Sequence, residues 1–375
     1  MTTITTIPLQ STATSTTGSP PAASTSATNN ATSDGYYGLR YYMALGDSFS
    51  AGNGAGDLVS PDQPNCRRTD GSYVYQLLND QSLWGFNLHP QQFEFNACSG
   101  AITTQVENFQ ILNPAQQSPP FNPFIYSADL YTLSAGGNDL GFDTIVRTCV
   151  YNFGLWGSCA KALANVDTLL TAGSTFDQNL QALYQTLDDN SGPGQVIIIP
   201  YIQFYNADVS QSIFGCKVSQ SIRQQMNQKV LDVNSFIASR ASPFHGFSVV
   251  DNGALQSAFD GHRFCDPVDQ SEIWIQDSFF ESLSNDTQQQ YNSNGALPAS
   301  VAAPLNSTLT SDGNLNGDDN GDDNSGLSNI FHPTKAGHTA YYQLVKDALS
   351  PASNSNNGSS TDGPAAVVDN TAADS

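Results

Sequence analysis

Residues 41–52 read YYMALGDSFSAG, an apolar run that passes into a turn of small residues. The run is typical of a buried β-strand, and the small residues after it are typical of a turn that begins a helix. In an open α/β sheet, the loops at the carboxyl ends of the strands form the ligand crevice. We therefore expect Ser48 to be exposed there, beside backbone N–H groups that can bind an oxyanion. On this segment alone, a helix-capping role for Ser48 fits equally well.

Around this segment, short apolar runs alternate with helix-length amphipathic stretches, which is typical of βαβ units and a mainly parallel sheet. The other strands are predicted at residues 130–134, 196–200 and 247–250. The clearest helix is predicted at 218–239, because its apolar residues recur with helical spacing. A second helix follows His332 and carries four apolar residues on one face, Tyr341, Leu344, Val345 and Leu349.

The two ends of the chain are rich in small and polar residues and bury too little apolar surface to offset the entropy of ordering. We predict a disordered or O-glycosylated leader at 1–35, a single domain at 36–350 and a second disordered tail at 351–375. Residues 1–28 have neither a charged n-region nor an apolar h-region, so they are not a signal peptide. We interpret this as a truncated or mis-assigned start.

A polar stretch at 285–327 interrupts the pattern, and we predict a low-complexity insertion that is a candidate lid because it directly precedes His332. The spacing of a calcium-binding loop is matched within it, with Asp instead of Glu at the last ligand position, by Asp312, Asn314, Asn316, Gly317 and Asp323. No amphipathic helix flanks these residues, and Asp319 occupies a position that is normally apolar. A solvated loop is therefore favoured, and we predict no metal site.

Charge and hydropathy exclude several classes of partner. Only 12 Lys and Arg accompany 34 Asp and Glu, and the formal net charge of −22 repels phosphate backbones and anionic headgroups. Nucleic acid is therefore excluded as a partner. No stretch approaches the roughly 20 apolar residues of a membrane-spanning helix, so we predict a soluble protein without an integral membrane segment.

Six cysteines form an even set without CxxC spacing, at positions 66, 98, 149, 159, 216 and 265. This favours disulfides in an oxidising compartment over a zinc site, although the count alone allows about 15 pairings. Glycosylation sequons begin at Asn285 and Asn306, with weaker ones at Asn30 and Asn357 in the tails. Together these features predict a secreted protein.

Three further motifs carry residues that suit a reacting carbonyl group. Gly100, in 96–101, lies where the backbone turns sharply or approaches a ligand. Asn138 follows a predicted strand and two glycines, and its amide is a suitable donor to a developing negative oxygen, although a plain turn also fits. His332 directly precedes a helix that Pro333 is predicted to start near its N1 position, which fixes its backbone. A satisfied surface or core histidine fits as well, and we interpret His338 in that way.

In this order, the four motifs resemble those of the SGNH hydrolases, the GDSL-type lipases and esterases. The matching residues are Gly-Asp-Ser at 46–48, Gly100, Gly-Gly-Asn-Asp at 136–139 and His-Pro at 332–333. The resemblance covers roughly residues 38–350. It implies a flavodoxin-like three-layer α/β/α sandwich in which Ser48 attacks an ester carbonyl and His332 is its base. It also implies an oxyanion hole of the Ser48 N–H, the Gly100 N–H and the Asn138 side chain.

One position departs from the family pattern. Most members have Asp three residues before the histidine, and this chain has Asn329. The chain is most similar to the branch of actinobacterial secreted esterases, which orient the histidine with a main-chain carbonyl. We therefore expect a Ser-His dyad with the carbonyl or side-chain oxygen of Asn329 at the His332 Nδ1–H. A carboxylate from Asp322 or Asp323 is the alternative, and it requires the insertion to fold back.

The same branch implies the disulfides Cys66–Cys98, Cys149–Cys159 and Cys216–Cys265. The predicted activity is that of a serine carboxylester hydrolase without a cofactor, acting as a monomer on a small acyl ester or a lipid. The 20 Phe and 15 Tyr can line an acyl tunnel, although aromatic residues usually serve the core. A carbohydrate O-acetyl esterase is the alternative within the enzymes, and a non-catalytic cell-wall or adhesion module is the alternative from another class.

Overall fold

The structure, a computed structural model, describes residues 38–60, 63–84, 89–112, 127–151, 158–208, 218–276 and 330–349. The predicted leader at 1–35, the insertion at 285–327 with its calcium-loop pattern, the tail at 351–375 and all four sequons lie outside the described residues. The limits of the domain at 36–350 therefore stay predictions.

The central sheet has five strands, namely Tyr41–Gly46 (β1), Gln92–Phe95 (β2), Leu130–Ser134 (β3), Gln195–Ile198 (β4) and Phe247–Val249 (β5). Every neighbouring pair is parallel, and the spatial order is β2-β1-β3-β4-β5. This is the strand order of flavodoxin-like folds. β1 and β3 are buried along their whole length, as expected for the near-continuous apolar runs of inner parallel strands.

Helices follow the strands in the alternation that the sequence predicts. They are Ser48–Ala51 (α1), Tyr73–Asn79 (α2), Thr103–Gln105 (α3), Phe142–Ile145 (α4), Cys159–Leu169 (α5), Thr175–Ser191 (α6), Gln220–Ala241 (α7), Asn252–Ala258 (α8) and Lys335–Leu349 (α9). Helix α3 continues as the π-helical stretch Val106–Ile111, and α4 continues as Val146–Tyr151. Short 3-10 turns lie at Pro64–Cys66 and Gln270–Glu272.

Side-chain caps define where four of these helices begin. Ser72, Ser174, Ser219 and Asp251 each accept a hydrogen bond from the backbone N–H three residues later, at the starts of α2, α6, α7 and α8. Such a bond satisfies one of the N–H groups that a helix start leaves without a partner, and it typically stabilises by about 1 kcal/mol.

The helices form two outer layers. Helix α9 packs against α2 and α8 in one layer, and α7 packs against α5 and α6 in the other. Within the first layer, the fully buried Tyr341 of α9 lies beside Tyr73 of α2 and donates to the Pro200 carbonyl after β4, at 3.1 Å. The predicted three-layer α/β/α sandwich is confirmed.

The strand predictions differ from the structure mainly at the edge of the sheet. β2 was not predicted, because Gln92–Phe95 alternates polar and apolar residues within only four positions. It forms an edge strand, where such alternation is expected. The side chain of Glu94 is nevertheless buried, since the Tyr41 hydroxyl donates to it at 2.8 Å. The strand predicted at 196–200 is observed at Gln195–Ile198, and the helix predicted at 218–239 is observed at Gln220–Ala241.

Candidate active site

Ser48 is the first residue of α1, directly after β1. The helix cap is Asp47, whose carboxylate accepts the Phe49 N–H at 3.0 Å, so the alternative that Ser48 caps the helix is wrong. The Ser48 side chain is also less exposed to solvent than we expected. Only 8 % of its surface is exposed, and it lines a cavity rather than the protein surface.

His332 lies against Ser48 although 284 positions separate them in the chain. The distance from His332 Nε2 to Ser48 Oγ is 2.6 Å, and His332 Nδ1 lies 3.0 Å from the carbonyl oxygen of Ile330. Because a carbonyl oxygen only accepts, Nδ1 carries the hydrogen of the neutral ring. Nε2 is then the acceptor for the Ser48 hydroxyl, and this is the tautomer in which an imidazole can take a proton from serine.

The backbone around His332 is fixed differently from our prediction. Helix α9 begins at Lys335, so Pro333 lies before the helix rather than near its N1 position. A short extended pairing holds the segment instead, with Ile275 opposite Pro333 and the Thr334 N–H donating to the Trp274 carbonyl at 2.8 Å. Phe331 has a φ of 65°, which is uncommon for a residue with a side chain.

The residues that we expected to orient the imidazole were Asn329 and, alternatively, Asp322 or Asp323. All three lie outside the described residues. Among the described residues, the Nδ1 contact is made by the main-chain carbonyl of Ile330. A main-chain carbonyl at Nδ1 is the kind of group expected for a Ser-His dyad. The one that the structure describes belongs to Ile330, the residue after Asn329.

His338 lies six positions after His332 and is fully buried beside Tyr73. Its Nδ1 accepts the Tyr73 N–H at 3.3 Å, and burial lowers the pKa of its imidazole to about 3. It is a core histidine, one of the two locations that we predicted, but its buried Nε2 has no hydrogen-bond partner among the described residues.

The loop that carries Gly100 is fastened to the loop after Ser48. The predicted disulfide Cys66–Cys98 is confirmed, with an S–S distance of 2.07 Å. The Cys98 N–H donates to the Gly46 carbonyl at 2.9 Å, and the Asn53 side-chain amide donates to the Ser99 hydroxyl at 2.8 Å. Gly100 itself has a φ of +79°, a left-handed conformation that favours glycine. The oxyanion role of its N–H stays a prediction.

The Gly-Gly-Asn-Asp turn after β3 is tied to the same loop by two side chains. The Asn138 amide donates to the Ala101 carbonyl at 2.9 Å, and the Asp139 carboxylate accepts from both the N–H and the hydroxyl of Thr103. Burial raises the pKa of Asp139. Asn138 also lines the cavity beside Ser48. An amide group has two N–H donors, and the bond to Ala101 uses only one of them.

Two residues of the site had no assigned role in the sequence analysis, Asp47 and Tyr201. The Tyr201 hydroxyl donates to Asp47 at 2.6 Å and accepts the Gly137 N–H at 2.9 Å. Asp47 also accepts from the Ser134 hydroxyl at 2.7 Å. Burial raises the pKa of Asp47 to about 6, although these hydrogen bonds favour the charged form. The place of Asp47 within the Gly-Asp-Ser motif is a signal that could have singled it out, whereas no local pattern singles out Tyr201.

A cavity opens beside Ser48 and runs between α4, α5 and α7. Its walls are mainly apolar and include Phe142, Ile145, Leu163, Val166, Met226, Val230 and Val233. Tyr201, Gly137 and Asn138 line it with Ser48. The cavity is also lined by Lys229, whose ammonium group forms ion pairs with Asp167 of α5 and Asp232 of α7.

The predicted disulfide Cys149–Cys159 is also confirmed, with an S–S distance of 2.04 Å. It joins the π-helical continuation of α4 to the first residue of α5. Helices α4 and α5 themselves both line the cavity. Cys265 is disulfide-bonded as well, and its predicted partner Cys216 lies outside the described residues. The two described disulfides therefore fasten different parts of the site, the Gly100 loop and the cavity walls.

A serine hydroxyl in contact with a histidine imidazole, at the carboxyl edge of a parallel sheet and open to a cavity, is the arrangement of a serine hydrolase. A match to the GDSL-like lipase/acylhydrolase family model covers residues 44–340. The chain belongs to this family, and it is a serine hydrolase of carboxylic esters. The alternatives of a carbohydrate O-acetyl esterase and a non-catalytic module are not favoured.

Curated relatives agree with this assignment. The chain is 31% identical to Lipase 1 of Streptomyces coelicolor over 244 residues, which are 65% of this chain and 78% of the relative. It is 31% identical to a lipase of Streptomyces rimosus over 224 residues, 60% of this chain and 73% of the relative.

A solved structure of phospholipase A1 from Streptomyces albidoflavus NA297 is similar at a TM-score of 0.55 and 25% identity, covering 83% of this chain and 99% of that one. The fold of an extracellular lipase from Streptomyces rimosus also matches, with a TM-score of 0.55 and 24% identity over 82% of this chain and 99% of that one. In the described parts of this chain, no helix is both long and apolar enough to cross a membrane.

Proposed function

We propose that this protein hydrolyses lipid-type carboxylic esters through an acyl-enzyme on Ser48, with His332 as general base and acid. The 2.6 Å contact between Ser48 Oγ and His332 Nε2, at one end of an apolar cavity, is the observation that carries the proposal. An alkyl chain buried among apolar walls contributes about 0.8 kcal/mol per methylene group, so such a cavity suits a fatty acyl group better than an acetyl group.

In the first half-reaction, Ser48 Oγ attacks the ester carbonyl carbon while its proton passes to His332 Nε2. The tetrahedral intermediate carries its negative charge on the former carbonyl oxygen. His332 then returns the proton to the ester oxygen, the bond between that oxygen and the carbonyl carbon breaks, and the alcohol leaves. The acyl group remains on Ser48.

In the second half-reaction, a water molecule attacks the acyl carbon and His332 takes its proton. The new tetrahedral intermediate releases the carboxylic acid, and the Ser48 oxygen regains the proton from His332. The Ile330 carbonyl holds the Nδ1–H throughout, which keeps Nε2 directed at Ser48.

We assign the oxyanion hole to the Ser48 N–H, the Gly100 N–H and the second N–H of the Asn138 amide. The bond from Asn138 to Ala101 supports this assignment, because it fixes the amide plane beside Ser48. Removing one such donor typically lowers turnover by about 10²- to 10³-fold.

We further propose that the protein acts outside the cell as a monomer. Two described disulfides support an oxidising compartment, and one structural relative is an extracellular lipase.

The test is a panel of p-nitrophenyl esters of increasing acyl length together with acetyl-xylan, assayed with the wild type, Ser48→Ala and His332→Ala. We expect the wild type to prefer medium or long acyl chains and both variants to lose activity. A wild type that releases acetate from acetyl-xylan and ignores longer acyl chains would assign a carbohydrate ester instead.

A further inference from the structure

The segment that carries His332 is held to the segment that carries Ser48 by one glutamine, Gln276. Its backbone N–H donates to the His332 carbonyl at 2.8 Å, and its carbonyl accepts the Phe331 N–H at 3.0 Å. Its side-chain amide donates to the Asn53 carbonyl at 2.7 Å and to the Pro333 carbonyl at 3.1 Å. Gln276 therefore contacts both residues that flank His332 in the chain, and its amide reaches a segment 223 positions away.

Asn53 connects this amide to the nucleophile. The Asn53 N–H donates to the Ser48 carbonyl at 3.2 Å, and its side chain donates to the Ser99 hydroxyl at 2.8 Å. Asn53 is fully buried. A continuous set of hydrogen bonds thus runs from the backbone of Ser48 through Asn53 and Gln276 to the backbone of His332, and a branch reaches the neighbour of Gly100.

The glycine next to Asn53 leaves the space that the Gln276 amide occupies. Gly54 has a φ of +71°, and a Cβ at this position would lie 2.1 Å from Gln276 Oε1 and 2.6 Å from Nε2. A side chain at residue 54 would therefore push the amide off the two carbonyls. The close approach of Gly54 and Gln276 gives a second way to displace the amide without changing residue 276.

The distance between Ser48 and His332 depends on such contacts, because the two residues belong to separate elements. Phe331 also has an uncommon positive φ, and surrounding contacts must hold a conformation of that kind. Catalytic groups work only within about 0.5 Å of their productive geometry, and a 1 Å misplacement can lower the rate about 10²-fold.

We propose that Gln276 is a positioning residue of the active site, whose side-chain amide sets the separation of Ser48 and His332 by bridging the Asn53 and Pro333 carbonyls. Its described hydrogen bonds are to the backbones around Ser48 and His332 and not to the Ser48 hydroxyl or the His332 imidazole. The inference rests on the proposed function, since it concerns the same serine and histidine.

The test replaces the amide while keeping the side-chain length, in Gln276→Met and Gln276→Glu. Neither variant can donate to two carbonyls at neutral pH, so both should lower kcat for a short, soluble ester by about 10- to 100-fold while KM changes less than about twofold. The rate of labelling by a fluorophosphonate should fall by the same factor. The matched control is Gln178→Met, which removes an exposed bond from a glutamine amide to the Gly173 carbonyl, at 2.8 Å, and should leave kcat unchanged.

Thermal unfolding of the same variants separates positioning from stability. If Gln276→Met and Gln276→Glu unfold at a lower temperature but keep the wild-type kcat and labelling rate, the amide is only structural and the proposal is wrong. An inactive wild type would refute the proposed function itself, a different result from an active wild type with unaffected Gln276 variants.

Gly54→Ala displaces the amide of Gln276 without changing residue 276 itself. Alone, it should lower kcat in the same way as Gln276→Met, because the new methyl group displaces the amide. In a Gln276→Ala background it should lower kcat much less, because the amide is already gone. Strictly additive effects on the logarithm of kcat would contradict the proposal.

Discussion

The hydroxyl of Tyr201 donates to the carboxylate of Asp47 at 2.6 Å, and both groups are almost completely buried. The same hydroxyl accepts the Gly137 N–H, so it joins the turn that begins α1 to the turn that carries Asn138. Burial, with the charge of Asp47 beside it, raises the pKa of Tyr201 well above its usual value. Tyr201 therefore stays protonated and remains a donor to Asp47.

Tyr201→Phe tests this connection. The variant keeps the ring but leaves the Gly137 N–H and one oxygen of Asp47 without their partner. Because Asn138 then lies in a less fixed turn, we expect kcat to fall about tenfold with little change in KM. A loss of about 1–3 kcal/mol in the free energy of unfolding should accompany it. Steady-state kinetics and urea unfolding measure the two effects, and an unchanged kcat would show that the hydroxyl serves stability alone.

Asp47→Asn tests the effect of pH on stability. The pKa of Asp47 is about 6 in the folded protein against an ordinary value of 3.8, so the folded state binds this proton more tightly. The stabilisation is therefore complete below pH 3.8 and is lost as the pH rises through about 6. A shift of this size corresponds to about 3 kcal/mol.

We expect the Asp47→Asn variant, whose amide cannot ionise, to gain stability relative to the wild type as the pH is raised from about 4 to about 7. Urea unfolding of both proteins at several pH values measures this difference. A difference that stays constant over this range would show that the buried carboxyl does not titrate there.

Val230→Phe tests the cavity as the acyl site. Val230 lies on α7 and lines the cavity, so a larger side chain should exclude long acyl chains and leave acetyl and butyryl esters as good substrates. We expect kcat/KM for a long-chain ester to fall at least about tenfold relative to the short ones. Ile222→Phe is the control, because Ile222 lies on the same helix and is absent from the described walls of the cavity. Equal losses of kcat/KM for short and long esters would contradict the assignment of the cavity as the acyl site.

The two disulfides should affect different properties. Replacing Cys66 and Cys98 by serine releases the Gly100 loop and should lower kcat for all esters. Replacing Cys149 and Cys159 loosens the cavity walls and should mainly change acyl-chain preference. Either change should cost about 2–4 kcal/mol of stability, as measured by urea unfolding. Identical kinetic profiles for the two double variants would show that the two disulfides do not have these separate effects on turnover and acyl-chain preference.

Local patterns in the sequence account for most of the fold. The mainly apolar runs of β1, β3 and β4 and the helical spacing of α7 are patterns of neighbouring residues, so these elements were predicted within a few positions. The edge strand β2 was missed, because a four-residue strand on one side of a sheet has no clear pattern of its own.

The same distinction between local patterns and distant contacts applies to the residues of the site. Ser48, Gly100, Asn138 and His332 follow strands or turns in short motifs, so their positions could be predicted. Tyr201 and Gln276 could not, because their roles depend on contacts with residues 154 and 223 positions away. His332 Nδ1 lies beside the main-chain carbonyl of Ile330, and the contact expected at Asn329 lies outside the described residues.

The catalytic pair of Ser48 and His332 is tested most directly by the rate of fluorophosphonate labelling of the wild type, Ser48→Ala and His332→Ala, with peptide mapping of the labelled residue. We expect a single label on Ser48 in the wild type, none in Ser48→Ala and a labelling rate at least about 10³-fold lower in His332→Ala. Labelling that persists in Ser48→Ala, or that proceeds at the wild-type rate in folded His332→Ala, would contradict the assignment of this pair.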